Sequence, residues 1–169
     1  MNTSRDQLSL FLSGPGANAV NACRAVLDPV QAHLIPAHVT VCREDELGEL
    51  LSLGAEDLRA RLQGCASLTL SFGPPERFGG HGVLLPCTGG QTQLDDLRRR
   101  LLRRDEVRAQ PAHITLAHPR NPRAPGNADE LPAPVQAAPW TLSDLRWIRQ
   151  VDGGVWATVA RFSLGPALR

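Results

Sequence analysis

Short stretches of alternating apolar and polar residues, separated by stretches with apolar residues three and four positions apart, predict alternating strands and helices. The predicted strands cover 7–12, 37–42, 66–72, 82–87, 112–117, 140–149 and 154–163, and the predicted helices cover 17–28, 44–63 and 91–104. Gly54 is a predicted break in the second helix, and Gly73 to His81 is predicted to form a hairpin-like loop. This order of elements is typical of an α+β fold.

Two of the predicted strands carry nearly the same motif, Pro-Ala-His-Val-Thr-Val at 36–41 and Pro-Ala-His-Ile-Thr-Leu at 111–116. Because successive side chains of a strand point to opposite faces, His38 shares a face with Thr40, and His113 shares a face with Thr115. The other face of each strand is apolar and predicts core. The repeat predicts two related halves that meet at one site with paired imidazoles as general acid and base. The alternative is that both are ordinary half-buried strands with polar residues towards solvent.

Composition excludes several classes of enzyme. The chain of 169 residues fits one domain, or two small lobes that share a core. It contains no lysine, which excludes lysyl-nucleotide intermediates, Schiff bases and P-loop lysines, and with them ATP-dependent ligases and kinases. The net charge of +1 provides no bulk attraction to nucleic acid, so an RNA partner requires a local patch. Arginine, which grips phosphate bidentately, supplies every basic side chain apart from the histidines.

Cysteine usage and hydropathy predict a cytoplasmic protein without membrane contact. No N-terminal signal segment is recognised, and no apolar run has the length of a membrane span. Nothing in the sequence requires more than a monomer. The cysteines have no Cys-x-x-Cys spacing and are predicted to be reduced thiols: Cys23, Cys42, Cys65 and Cys87.

Three further features have more than one interpretation. The arginines of the helix over 91–104 predict either a solvated helix face or a phosphate patch: Arg98, Arg99, Arg100, Arg103 and Arg104. A proline-rich loop over 119–139 leaves directly from the second motif, a position from which a loop can gate a site. His113 and His118 are five positions apart and are predicted to lie on opposite faces of a strand, a spacing that chelates metal poorly. No metal site is therefore predicted.

Paired His-apolar-Thr-apolar motifs, one in each half of a chain of this length, resemble the signature of the 2H phosphoesterase superfamily, which includes the 2'-5' RNA ligases and RNA 2',3'-cyclic phosphodiesterases. The resemblance implies a single domain over 1–169 with two pseudo-symmetric lobes of antiparallel sheet, outer helices, and a cleft in which the motif strands lie side by side. It implies His38 as acid and His113 as base, Thr40 and Thr115 as phosphate-binding residues, and no metal or cofactor.

Two departures from the family pattern concern the substrate. The first motif continues with Cys42, Arg43 and Glu44, where the bacterial RNA phosphodiesterases commonly have a Phe-Leu-Gly-like run. After Ala117 the chain has His118, where an arginine is common. Further candidates for the cleft are Arg43, Phe78, His81 and Arg120, together with Arg77.

The resemblance and the residue types together predict a metal-independent phosphodiesterase that hydrolyses 2',3'-cyclic phosphates of RNA ends or small nucleotides to 2'-phosphomonoesters. The expected partners are RNA with cyclic phosphate ends or small cyclic nucleotides. Two alternatives remain open: a phosphoesterase acting on a non-RNA cyclic phosphate or a linear RNA 3' end, and a non-catalytic module that binds RNA or a nucleotide.

Overall fold

A computed structural model describes residues 3–128, 130–133 and 139–166. The helices are α1 (Pro15–Leu27), α2 (Pro29–Leu34), α3 (Glu44–Ser52), α4 (Gly54–Leu62) and α5 (Gln91–Leu102), and Pro125–Asn127 forms a 3-10 turn. The strands are β1 (Ser4–Phe11), β2 (His38–Cys42), β3 (Leu68–Phe72), β4 (Glu76–Phe78), β5 (Gly82–Gly89), β6 (His113–Ala117), β7 (Trp140–Leu142), β8 (Asp144–Val151) and β9 (Ala157–Ser163). None of the described helices has the length and apolarity required to cross a membrane.

The strands form two antiparallel sheets, each with one motif strand at its edge. The first sheet has the order β2-β1-β8-β9. In the second, β5 pairs with β4 and β6, its last residues pair with β3, and β3 pairs with β7. The edge strands β2 and β6 contact each other across the boundary between the sheets. The two motifs therefore lie side by side, as the resemblance implied.

Each motif strand ends a similar unit of strand, helix and strand. In the first unit β1 leads through α1 and α2 to β2, and in the second β5 leads through α5 to β6. A glycine with positive φ precedes the long helix of each unit, Gly14 at +83° and Gly90 at +90°. At Gly90 a Cβ atom would lie 2.2 Å from the carbonyl oxygen of Thr69, so that only glycine fits between the helix and β3.

The apolar faces of the motif strands are core, as predicted. Val39, Val41, Ile114 and Leu116 are buried, and the two motif strands have the same sequence of half-buried and buried positions. A half-buried polar face thus alternates with a fully buried apolar face in both strands. Burial on one side fixes which way each histidine and threonine points.

The structure corrects four predictions of local structure. No element was predicted between residues 28 and 37, but this segment contains α2, whose N-terminus is capped by Asp28. The predicted strand 140–149 is two strands, β7 and β8, which lie in different sheets on either side of Ser143. The predicted loop 73–81 contains the short strand β4. Arg98 of α5, predicted to lie on a solvated face or in a phosphate patch, is instead fully buried and pairs with Glu46 at 2.5 Å.

Candidate functional site

The structure brings the two motifs to one pocket. His38 and Thr40 of β2 line it together with His113 and Thr115 of β6, and its volume is about 330 Å³. This is near the lower end of the range of small-molecule sites, about 300–1,000 Å³. Among the further candidates, Arg43, Phe78 and Arg120 also line this pocket.

Two other candidates lie elsewhere. His81 is exposed in the turn after β4 and does not line the pocket. The Arg77 guanidinium donates to the carbonyl oxygens of Gly126, Ala128 and Glu130. Arg77 therefore holds the described part of the loop over 119–139 and is not directed at a phosphate. The loop's remaining residues, 129 and 134–138, lie outside the described residues, so its predicted gating role stays a prediction.

The two histidine rings are held in the same way. The Nδ1 atom of His38 lies 2.8 Å from the carbonyl oxygen of Pro36, and that of His113 lies 3.0 Å from the carbonyl oxygen of Pro111. A carbonyl only accepts, so each Nδ1 carries the proton and donates. Nε2 is then the nitrogen that a bound ligand meets. It accepts a proton when the ring is neutral and donates one when the ring is charged.

Helix side chains fix the alanine that precedes each histidine. The N–H of Ala37 donates to Oδ1 of Asn21 in α1 at 2.8 Å, and the N–H of Ala112 donates to Oε1 of Gln91 in α5 at 2.8 Å. Each residue of the repeated Pro-Ala-His sequence therefore has a structural role. The proline carbonyl orients the histidine ring, and the alanine N–H bonds the start of the strand to the preceding helix.

In each half, a buried side chain donates a hydrogen bond to the backbone carbonyl of the motif threonine in the other half. Gln110, just before the second motif, donates from Nε2 to the carbonyl oxygen of Thr40 at 2.8 Å. Arg24 of α1 donates from Nε to the carbonyl oxygen of Thr115 at 3.0 Å and from Nη1 to the carbonyl oxygen of Ile35 at 2.7 Å. These crossing contacts set the distance between the motif strands, and with it the spacing of the two imidazoles.

Burial lowers the pKa of both histidines. The pKa of His38 falls to about 4, mainly because burial disfavours the charged ring, with smaller contributions from the charges of Arg24, His113 and His118; the bond to Pro36 opposes the fall. The pKa of His113 is also lowered, first by burial and then by Arg43, against the bond to Pro111. His38 is therefore neutral at pH 7.

An aromatic ring packs against each imidazole. Phe11 lies opposite His38 in the β1–β2 ladder, with ring centroids 5.8 Å apart, and the centroid of Phe78 lies 5.7 Å from that of His113. Phe78, a predicted cleft residue, therefore contacts one of the two motif histidines.

The two halves differ around their threonines. In the first half, Gln7 donates from Nε2 to Oγ1 of Thr40 at 3.0 Å and to Oγ of Ser9 at 2.6 Å. Thr40 therefore accepts from Gln7, and its own hydroxyl proton remains available for a ligand. In the second half the residue opposite Thr115 is the apolar Leu84. The pocket is thus more polar near β1 than near β5. This difference can orient a substrate whose two ends differ in polarity.

A bulge overturns the prediction that His113 and His118 point to opposite faces. In the β5–β6 ladder Leu84 pairs with Thr115 and Val83 pairs with Ala117, so that Leu116 is an extra residue. An extra residue shifts the alternation by one position. His118 thereby returns to the polar face and lines the pocket.

Sequence reasoning missed several residues of the pocket, among them Arg24, Gln7 and Arg5. Arg24 lies at helical spacing from Val20 and Leu27 in the apolar stripe of α1, and a lone charge in such a stripe is a usable signal. Gln7 shares its face of β1 with Ser9, which a period of two predicts. The third, Arg5, lies two positions before Gln7 and shares the same face of β1, and its guanidinium lies 5.1 Å from the ring centroid of Trp156.

The charge of the pocket suits an anion. The carboxylate of Asp6 is engaged by Nε1 of Trp147 at 2.6 Å and by Nε of Arg149 at 2.9 Å. Among the described residues, no cluster of three or more His, Cys, Asp or Glu side chains has the arrangement of a metal site. The charged lining residues other than histidine are four arginines and two carboxylates: Arg5, Arg24, Arg43, Arg120, Asp6 and Glu44.

The tautomers of the pocket histidines provide a first test. We expect neutral His38 and His113 to carry their proton on Nδ1, since each donates to a proline carbonyl. His118 should carry it on Nε2, because its Nδ1 accepts the N–H of Arg120 at 3.0 Å. Nitrogen-15 imidazole spectra distinguish the two forms, and a pH titration should give His38 a pKa well below the ordinary 6.5. Three Nε2–H rings would contradict the hydrogen bonds described here.

Comparisons with known proteins support this fold. No protein-family model matches the sequence, and no match is found among curated proteins. Solved structures do match. E. coli LigT complexed with phosphate has a TM-score of 0.63 and 17% identity, with 98% of this chain and 99% of that chain covered. E. coli LigT complexed with 3'-AMP has a TM-score of 0.55 and 15% identity, covering 96% and 98%.

A third solved structure, described as a phosphoesterase, has a TM-score of 0.56 and 14% identity and covers 96% of this chain and 99% of its own. The chain therefore has the LigT fold over nearly its whole length. The predicted α+β architecture with two antiparallel sheets is confirmed, and so is the resemblance that the two motifs indicated, at the level of the fold.

Proposed function

We propose that this protein is a phosphodiesterase that hydrolyses 2',3'-cyclic phosphates of RNA ends or small nucleotides to 2'-phosphomonoesters, with His38 and His113 as the acid–base pair and no metal ion. The paired ring geometry carries the proposal: both Nδ1 atoms donate to proline carbonyls, which leaves both Nε2 atoms for a ligand in one arginine-lined pocket. The structures of LigT with phosphate and with 3'-AMP, a nucleotide with a phosphate on its ribose, support this substrate class.

The reaction needs one base and one acid. Nε2 of neutral His113 takes a proton from water, and the water oxygen forms a bond to phosphorus while the bond from phosphorus to ribose O3' breaks. The Nε2–H of charged His38 gives its proton to O3', so that the phosphate stays on O2'. The hydroxyls of Thr40 and Thr115 and the guanidinium of Arg43 donate to the non-bridging oxygens as charge develops there.

The acid role of His38 requires its pKa to rise when substrate binds. The pKa of His38 is about 4, chiefly because burial disfavours the charged ring and to a lesser extent because of the positive charge of Arg24. An anionic phosphate in the same pocket opposes both effects, since it favours the charged ring. The negative charge of the bound substrate thus raises the pKa of His38, so that the ring carries the proton that it donates.

Phosphorus NMR tests the proposed reaction directly. The protein is incubated in EDTA with 2',3'-cyclic mononucleotides and with a short RNA that has a cyclic phosphate end. We expect a single monophosphate isomer, the 2'-phosphate, formed at the same rate with and without EDTA. A 3'-phosphate would reverse the assigned leaving oxygen, and loss of turnover in EDTA would contradict the metal-free reaction. If the folded protein binds these compounds without converting them, it is a binding module.

A further inference from the structure

The repeated motif is longer than His-x-Thr. In the β1–β2 ladder Ser9 pairs with Thr40 and Leu8 pairs with Cys42, so that Val41 is an extra residue. Leu116 is the extra residue of β6, at the same position of the motif. Each bulge restores the residue three positions after the threonine to the polar face. That residue is Arg43 in one half and His118 in the other, and both line the pocket.

Hydrogen bonds hold both the backbone and the ring of His118 in place. Its N–H donates to Oδ2 of the buried Asp28 at 2.9 Å. Its carbonyl oxygen accepts from the N–H of Asn121 at 3.0 Å and from Nδ2 of Asn127 at 3.2 Å. The ring itself is oriented by the N–H of Arg120, which donates to Nδ1. Backbone and side chain are therefore both held in place before a ligand arrives.

The bond from Arg120 fixes what the ring can do. Because Nδ1 is an acceptor, the neutral ring has its proton on Nε2, the opposite tautomer from His38 and His113. This Nε2–H has no hydrogen-bond partner among the described residues. Burial and the nearby charge of Arg120 lower the pKa of His118. With Nδ1 as acceptor in the neutral ring, Nε2 carries a proton, so His118 is a preoriented Nε2–H donor beside two rings that must exchange protons.

We propose that His118 donates its Nε2–H to a non-bridging oxygen of the substrate phosphate, at the position that Arg43 occupies in the other half of the site. The inference rests on the proposed function, since it assigns a substrate contact in the same pocket. One phosphate would then receive a guanidinium donor from the β2 side and an imidazole donor from the β6 side. Such an arrangement distinguishes the two non-bridging oxygens and fixes which ribose oxygen faces His38.

Two substitutions separate the donor role of His118 from its structural role. H118Q places an amide N–H₂ at the position of Nε2, the same number of bonds from Cβ, but removes the acceptor for Arg120. H118N keeps an acceptor at the position of Nδ1 and has no donor that reaches the pocket. Inorganic phosphate and 3'-AMP are the probes, with affinity measured by calorimetry. We expect H118N to weaken both by about tenfold or more, the effect of losing a hydrogen bond to a charged group, and H118Q to bind close to wild type.

Three outcomes overturn the inference. If H118N binds like wild type and H118Q binds poorly, His118 only anchors its loop. If neither variant changes affinity, or if wild type binds neither probe, His118 does not contact phosphate. If a variant fails to fold, the wild-type imidazole spectrum decides, because phosphate must then shift the His118 Nε2–H resonance. Absence of turnover by wild type with intact phosphate binding would contradict the proposed reaction and leave the His118 contact standing.

Discussion

Replacing His38 or His113 with alanine is expected to lower kcat for a 2',3'-cyclic phosphate by about 10²–10⁴-fold, with little change in the fold. Each substitution removes the Nε2 atom that exchanges the proton, while the buried apolar faces of β2 and β6 are unchanged. The double variant should be little slower than the slower single variant, because groups that act as one unit are not additive. Phosphorus NMR of product formation measures all three rates.

The chain provides matched controls. His81 and His33 are exposed and do not line the pocket, so alanine at either position should leave kcat within twofold of wild type. Wild-type kcat, which reports the groups of the enzyme–substrate complex, should follow a bell-shaped pH profile. The rate rises as pH increases through the pKa of the base, and it falls as pH increases through the pKa of the acid. If His38 is the acid, the residual activity of H38A should lose its alkaline limb. A monotonic wild-type profile would contradict the paired roles.

The sequence predicts the parts of the site that depend on local periodicity. Alternation along a strand is a local property, so the shared face of His38 and Thr40 and the buried face of Val39 follow from residue order alone. The same reasoning fails for His118, because the bulge at Leu116 arises from pairing with β5, which is distant in sequence. Repetition of that bulge in both halves is visible only once the ladders are known.

Long-range hydrogen bonds account for the other differences. Nothing near Arg24 in the sequence indicates that it reaches the carbonyl of Thr115 in the other half. The division of 140–149 at Ser143 likewise depends on partners that are distant in sequence. The residues before Ser143 form β7 and pair with β3, whereas those after it form β8 and pair with β1 in the other sheet. Periodicity predicts which residues are extended, whereas the choice of partner strand depends on the whole fold.

Asp28 is expected to be among the most destabilising positions to change. Its carboxylate is fully buried, with Oδ1 accepting from the N–H of Gln31 at 3.2 Å and from Nδ2 of Asn121 at 2.9 Å, and Oδ2 accepting from the N–H of His118 at 2.9 Å. It also lies close enough to the buried guanidinium of Arg24 to raise that group's pKa, against the larger effect of burial, which lowers it to about 10. One side chain thus caps α2, ties down the loop after β6 and faces a buried cation.

D28A should therefore lower the free energy of unfolding by about 3–5 kcal/mol, because it leaves three donors without their acceptor and a buried cation without its nearby negative charge. For a chain of this length the expected fall in Tm is about 10 °C, measured by calorimetry or circular dichroism. D96A is the matched control. The carboxylate of Asp96 is exposed and pairs with Arg99 at the surface, so its loss should change stability by less than about 1 kcal/mol.

The same variant should also weaken phosphate binding, since His118 and Asn121 lose their shared anchor on Asp28. The two effects are separable below the Tm of D28A, where the protein is folded but its affinity for inorganic phosphate should already be reduced relative to D96A. A large fall in Tm with unchanged phosphate affinity would mean that Asp28 stabilises the fold without positioning the pocket. Equal stability of D28A and D96A would contradict the assignment of Asp28 as the buried junction between α2 and the segment after β6.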